Sequence, residues 1–278
     1  MDVQIIEKEI HLQAFPEDFS WGQAHRHLSL QTWGVEMTLT DGQGHLVFAA
    51  SYTNTEGLAT PLFIRYLQQG EEIWQQKVLH THIWLTEPRF CLFPQAHSPE
   101  RDPLYLARLM LDELILPEEV WLDDLEDPML LSKKSPALWQ SLELAFPGCQ
   151  IHHQARNSIS WALHLAQTTP DCLYVHLSGK RIQITACHSG KLQACQSFSY
   201  HSLLDVVYYL QLMRAQCFGE EREPAVFLTG ELGLSHADLF SLRAQLPQVH
   251  MPGQLRAQGP EKLAETAWWK YVYLSHLA

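Results

Sequence analysis

The chain has 278 residues, 46% apolar and 18% charged, which excludes a disordered chain or low-complexity fibre and leaves room for one large domain or two modest lobes. Its 19 Lys and Arg against 31 Asp and Glu give a formal charge of −12, a field that repels a phosphate backbone, so nucleic acid is not an expected partner.

In chain order, the opening MDVQIIEKEIHLQAF interleaves charges with apolar residues, which a secretory leader does not do. Residues 28–53 alternate as strands around the turn Asp41-Gly42-Gln43-Gly44, with Val35, Met37 and Leu39 on one face. Leu58 to Gln69 is predicted helical, and KVLHTHIWL and RFCLFP are predicted strands. Asp102 caps a predicted helix that starts at Pro103, and a short strand is expected around Val120-Trp121-Leu122. Cys172 to His176, Arg181 to Cys187 and Lys191 to Phe198 form a predicted antiparallel meander with turns at Ser178-Gly179 and Ser189-Gly190. A helix from Ser202, the strand AVFLT, a break at Gly230, a helix over 235–246, a strand after Pro247 and a closing helix complete the order.

No stretch reaches 18 apolar residues, and the most apolar, Leu203 to Met213, contains Asp205 and Gln211. A soluble, cytoplasmic protein with no membrane partner is expected. The six cysteines, at 91, 149, 172, 187, 195 and 217, include no C-x-x-C pair. In a two-residue hairpin Cys187 faces Leu192 and Cys195 faces Ile184, so free thiols are expected.

Ser135 to Pro147 and Ser235 to Pro247 align without gaps, with identities at Ser135/Ser235, Ala137/Ala237, Ser141/Ser241, Leu142/Leu242 and Pro147/Pro247. The elements around them run in one order: helices near 103–115 and 203–216, strands near 120 and 226, the matched helices, short strands and closing helices. This predicts a duplicated α/β unit in two lobes, 1–168 and 169–278, with a cleft between them. Three antiparallel strands followed by alternating helices and strands is the order of the two-lobed actin-like ATPase fold, a ribonuclease H-like architecture. A doubly wound nucleotide fold fits less well, because the meander contains no crossover helices.

The run LYVHLSGKRIQITACHSGKLQACQSFSYHSLLDVVYYLQLM, then AVFLTGEL, together with FPGCQIHHQARNSISWAL, resembles domain-of-unknown-function family 3822, bacterial proteins of actin-like fold. The likeness extends over most of the chain, and its most specific part is Asp205 followed by Tyr208-Tyr209-Leu210. It implies a fold and no established activity.

Actin-like ATPases hold ATP and Mg²⁺ through two glycine hairpins with an acidic residue and a glycine-rich loop near adenosine. Here the first hairpin has Gly34 with no Asp ahead of it, and the second has Gly179, Lys180 and Arg181 with no acidic residue. The adenosine loop is reduced to Gly230-Glu231. Two lobes that have lost ATP turnover and act on a protein partner are therefore expected. The alternative is an ATP- and Mg²⁺-dependent ATPase or kinase using Gly179, Lys180, Arg181, Gly230 and Glu231. A homodimer or polymerising subunit is a further option.

Three histidine groups stand out, His25/His27, His80/His82 and adjacent His152/His153; at i and i+2 on a strand His80 and His82 share a face and could both ligate a metal, but no third ligand stands at a fixed spacing, so no metal is expected. Asp205, Tyr208 and Tyr209 share a helix face, where a tyrosine hydroxyl can reach the carboxylate, as a polar cluster or a partner surface. No catalytic residue is assigned, since neither a G-x-S-x-G elbow nor a Walker loop occurs. From Asp112 to Asp127 there are acidic residues at 112, 113, 118, 119, 123, 124, 126 and 127 and no basic one, a solvated face or a surface that steers a basic partner.

Overall fold

The computed structural model describes residues 6–31, 33–87, 89–93, 102–111, 114–123, 128–219, 222–230 and 248–250, with Leu242 and Ala244. Its contacts divide the chain into two units, whose described parts are 6–154 and 155–250.

The first unit opens with β1 (Ile6–Gln13), then a meander of β2 (His25–Gln31), β3 (Gly34–Thr40) and β4 (Leu46–Asn54). Asp41 closes the second turn by accepting from the backbone of Gln43 and His45 at 2.9 and 2.8 Å. This side-chain mimic of a backbone turn is what Asp at a turn start supplies. Helices α1 (Thr60–Gly70) and α2 (Glu72–Gln75) lead to β5 (His80–Leu85). An inserted piece follows: β6 (Phe90–Phe93), α3 (Pro103–Leu111), β7 (Val120–Asp123) and β8 (Met129–Lys133). Asp102 caps α3 as expected, accepting from the Leu104 amide at 3.0 Å. Helix α4 (Pro136–Ala145) and β9 (Gln150–His153) complete the unit.

The second unit has α5 (Gln154–Ala166, with Gln154 counted in the first unit), the meander β10 (Cys172–Ser178), β11 (Arg181–His188) and β12 (Lys191–Ser199), then α6 (Leu203–Phe218), β13 (Ala225–Gly230) and β14 (Val249–His250).

The two main sheets repeat one topology. The first runs β1-β4-β3-β2-β5-β9 and the second β12-β11-β10-β13-β14. In each, the first meander strand pairs parallel with a later strand, β2 with β5 and β10 with β13. The duplication is therefore in the fold, with β1 added antiparallel on the β4 edge. The correspondence differs from the hundred-residue echo. β13 takes the place of β5, and α6, between meander and parallel strand, takes that of α1. Strand β7 belongs instead to a separate three-stranded sheet, β6-β8-β7, inserted in the chain between β5 and α4, and α3 packs on that sheet. The helix predicted over 235–246 lies outside the described residues apart from Leu242 and Ala244, and the closing helix predicted over 261–276 lies wholly outside them.

Each sheet has one apolar face. Leu28, Leu30, Val35, Met37, Leu39, Tyr52 and Ile83 join Phe63, Ile64 and Leu67 of α1 and Leu142 of α4 in the first core. Leu173, Val175, Ile182, Ile184 and Leu228 join Val206, Leu210 and Met213 of α6 in the second. Alternation makes the opposite faces polar, and they are buried too: His27, Ser29, Thr38 and Thr40 in one sheet, His176, Thr185 and Thr229 in the other.

The meander register shifts between Ala186 and Cys187. Cys187 faces Leu192 as expected, but the bulge moves Cys195 opposite Thr185 instead of Ile184. Cys187 also faces Cys172 across β10, and all six cysteines are free thiols.

Candidate functional site

The glycine turn of the second unit sits where β10 and β13 end together, because their parallel register places Leu177 beside Gly230. Gly179 has φ 56°, the left-handed conformation that a two-residue hairpin starting with glycine requires. Tyr200 fixes this turn twice, its hydroxyl donating to the Gly179 carbonyl and its amide to the Lys180 carbonyl, both at 2.9 Å. Lys180 is exposed, Arg181 is half-buried, and among the described residues neither forms an ion pair. Open strand sheets bind ligands outside their carboxyl ends, so Gly179, Lys180, Arg181 and Gly230 are brought to one place suited to an anion. Glu231 lies outside the described residues.

Gly230 has a structural role of its own. A Cβ there would stand 2.0 Å from the Leu177 carbonyl oxygen, and φ is 91°. Gly34 is similar, since its Cβ would meet the Tyr52 carbonyl oxygen at 2.0 Å. Both glycines permit close backbone approach within a sheet. The two hairpin turns, residues 31–34 and 178–181, contain no carboxylate. Lys180 and Arg181 fit phosphate oxygens, while the charged hard-oxygen ligands that Mg²⁺ requires are missing from these turns.

Asp205 caps α6. Its carboxylate accepts from the amides of His201 and Ser202 at 2.8 and 3.0 Å, while the Ser202 hydroxyl accepts from the Asp205 amide at 3.3 Å. These bonds, His201 first, hold the Asp205 carboxyl below the usual carboxylate range. Its oxygens thus serve the helix start rather than a tyrosine hydroxyl. Tyr209 stacks on Phe198 with centroids 4.3 Å apart, and Tyr208 meets Tyr209 edge-on at 5.3 Å. Tyr208 is 61% exposed and Leu204, one turn earlier, 71%, so α6 presents an apolar pair to solvent.

Parallel pairing sets His25 beside His80 and His27 beside His82. His152 of β9 adds a third strand, with its Nε2 3.3 Å from Nδ1 of His82. The rings stack: His27 on His82 at 5.0 Å and His82 on His152 at 5.6 Å, with interplanar angles of 11° and 20°. Stacked rings direct their lone pairs along parallel planes, and among the described residues no group of three or more ligands converges on a metal-sized site. Burial lowers the pKa of His27 to about 3 and of His82 to about 4, with neighbouring histidines adding to the effect.

Sequence reasoning missed two groups. In one, the Asp171 carboxylate meets His188 Nδ1 at 2.9 Å, the Ser189 amide at 2.8 Å and Arg222 Nη1 at 3.3 Å, at the Ser189-Gly190 turn. The Asp171 carboxyl is held low, chiefly by the Ser189 amide. In the other, Arg26 lies on the apolar face of β2 and is 3% exposed. The strand alternation HRHLSL, which puts Arg26 in phase with Leu28 and Leu30, was the available signal. Of the acidic 112–127 segment, Asp112, Glu113 and 124–127 lie outside the described residues. Asp123 is buried and accepts from the His153 amide at 2.8 Å.

Among the described residues no helix is long and apolar enough to cross a membrane. No curated protein matches the chain. Solved structures that share its fold include the following two. A Bacteroides thetaiotaomicron protein with actin-like ATPase fold and unknown function aligns at TM-score 0.71 and 16% identity, covering 85% of this chain and 94% of its own. PilM in the PilM-PilN type IV pilus biogenesis complex aligns at TM-score 0.61 and 12% identity, covering 92% and 98%. The fold is thus the actin-like ATPase fold that the element order predicts. A family model matches residues 24–244, most of the chain, and this protein therefore belongs to the family described as Protein of unknown function (DUF3822).

Proposed function

We propose that this chain is an actin-like protein of the cytoplasm that acts by binding a protein partner and has lost nucleotide turnover. One observation carries the reading: both glycines offered for nucleotide outside the second turn, Gly34 and Gly230, are required by backbone packing, and neither hairpin turn holds a carboxylate. The exposed Leu204 and Tyr208 on α6, beside the capping Asp205 and the stacked Tyr209, are the partner surface we favour. A protein of the same fold in complex with a partner, PilM with PilN, supports the idea that such folds assemble with other chains. A second copy of the chain is one candidate partner.

Affinity purification from the native cell, repeated with Tyr208→Ala, tests the reading. A co-eluting protein lost in the variant supports it. Calorimetric titration with Mg-ATP giving a Kd below about 100 μM, a free energy near −5.5 kcal/mol, would overturn it. The second reading, a divergent ATPase or kinase, is favoured by Lys180 beside Gly179, which forms no ion pair among the described residues. It requires ATP turnover that Lys180→Ala abolishes.

A further inference from the structure

The apolar side of the first sheet carries an open cavity of about 440 Å³, bounded by α1, α2, the end of α4 and the first residues of β2 and β5. It lies at the amino ends of the parallel strands, since Arg26 and Thr81 are the second residues of β2 and β5. The site is therefore at the opposite end of β2 from the Gly34 turn, and its volume is in the range that encloses small ligands.

Arg26 makes this cavity unusual. Its Nη2 donates to the carbonyls of Ile73 at 3.2 Å and Gln76 at 2.8 Å, and its Nε is buried with no acceptor. Among the described residues no carboxylate pairs with it. A buried cation without an anion is costly, and an apolar residue in phase with Leu28 would have been the stable choice. Burial lowers the Arg26 pKa only to about 10, so the guanidinium stays charged at neutral pH. The Phe146 ring lies 5.7 Å from its Cζ. Lys77, exposed at the rim, forms no ion pair among the described residues, and no described lining residue is acidic. In a chain of net charge −12 this is a positively charged recess with aromatic walls from Trp74 and Phe146.

We propose that the cavity bounded by Arg26, Lys77 and Phe146 binds a small organic anion, a carboxylate or phosphate ester carrying a planar apolar group. The anionic head meets the Arg26 fork and Lys77, supplying the missing counter-charge, and the flat group lies against Phe146 and Trp74. The reading is independent of the partner surface on α6 and of the glycine turn.

The test is calorimetric titration of the full chain with benzoate, phenyl phosphate and uncharged benzyl alcohol. At least one anion is expected to bind, and the tighter of the two assigns the head group. Lys77→Ala, a surface change that leaves the fold intact, is expected to weaken binding about tenfold, and Arg26→Gln to abolish it. If Arg26→Gln fails to fold by circular dichroism, Ala145→Phe, which fills the cavity without altering charge, takes its place and is expected to abolish binding. Benzyl alcohol binding as tightly as the tighter anion, unchanged affinity of that anion in Lys77→Ala, or no anion binding at about 10 mM would overturn the proposal.

Discussion

Single residues in this protein show how one glycine can look like ligand chemistry and be packing. Replacing Gly230 with Ala puts a methyl group 2.0 Å from the Leu177 oxygen at φ 91°, where L side chains are strained. The expected loss is about 3 kcal/mol in urea unfolding. Ser202→Ala removes the hydroxyl that accepts from the Asp205 amide at the start of α6 and should cost about 1 kcal/mol by the same measurement. Lys180→Ala, on an exposed turn held by Tyr200, should leave stability unchanged. The turn glycines were legible in the sequence because hairpin chemistry is local. The role of Gly230 was not, since it depends on a parallel partner some fifty residues away. Arg26 was legible only as a phase violation, an Arg where alternation calls for an apolar side chain.

At the level of elements, the second meander could be read from its period-two pattern and its two turns, whereas β1 and β8 were not read as strands. β1 is largely exposed, and its pairing with β4 supplies what its pattern does not announce. β8, MLLSK, is a short apolar run with no alternation to distinguish strand from helix. The buried and half-buried strand histidines give the sheets a shared pH dependence. Burial lowers the pKa of His27 and His153 to about 3 and of His82 and His176 to about 4. Unfolded histidines titrate near 6.5, so below that pH the unfolded chain takes up protons that the folded one refuses. Stability is fully present above about pH 6.5 and falls as pH drops toward 4, by roughly 1.4 kcal/mol per pH unit for each such histidine. Urea midpoints measured between pH 7.5 and 5 check the direction; a flat profile would contradict the burial. The inserted sheet is anchored through Trp121, which is buried in the first core and lies 5.2 Å from the Trp139 and His153 rings. Trp121→Ala is expected to lose about 3–5 kcal/mol in urea unfolding.

Across the whole molecule, the repeated strand order gives the two sheets one architecture although their sequences share little beyond the match of Ser135–Pro147 with Ser235–Pro247. The repeat does not extend to the helix and strand at 103–123, because these belong to an inserted piece whose helix and strands stand at positions that mimic it. That insertion also sets a timetable. Between the final parallel partners the chain travels from Leu85 to Gln150 in one sheet and from Gly230 to Val249 in the other, roughly three times as far in the first. Closing the longer span carries an additional entropic cost of about 1 kcal/mol, and non-local pairings are slow to form. The half synthesised last should therefore finish its sheet first. In pulse-labelled exchange during refolding, the Val226 amide, bonded to the Gln248 carbonyl at 2.9 Å, gains protection before the amides of β9. Refolding from the full-length unfolded chain would then run against the direction of the sequence, the downstream sheet closing while the upstream one still waits for its last strand.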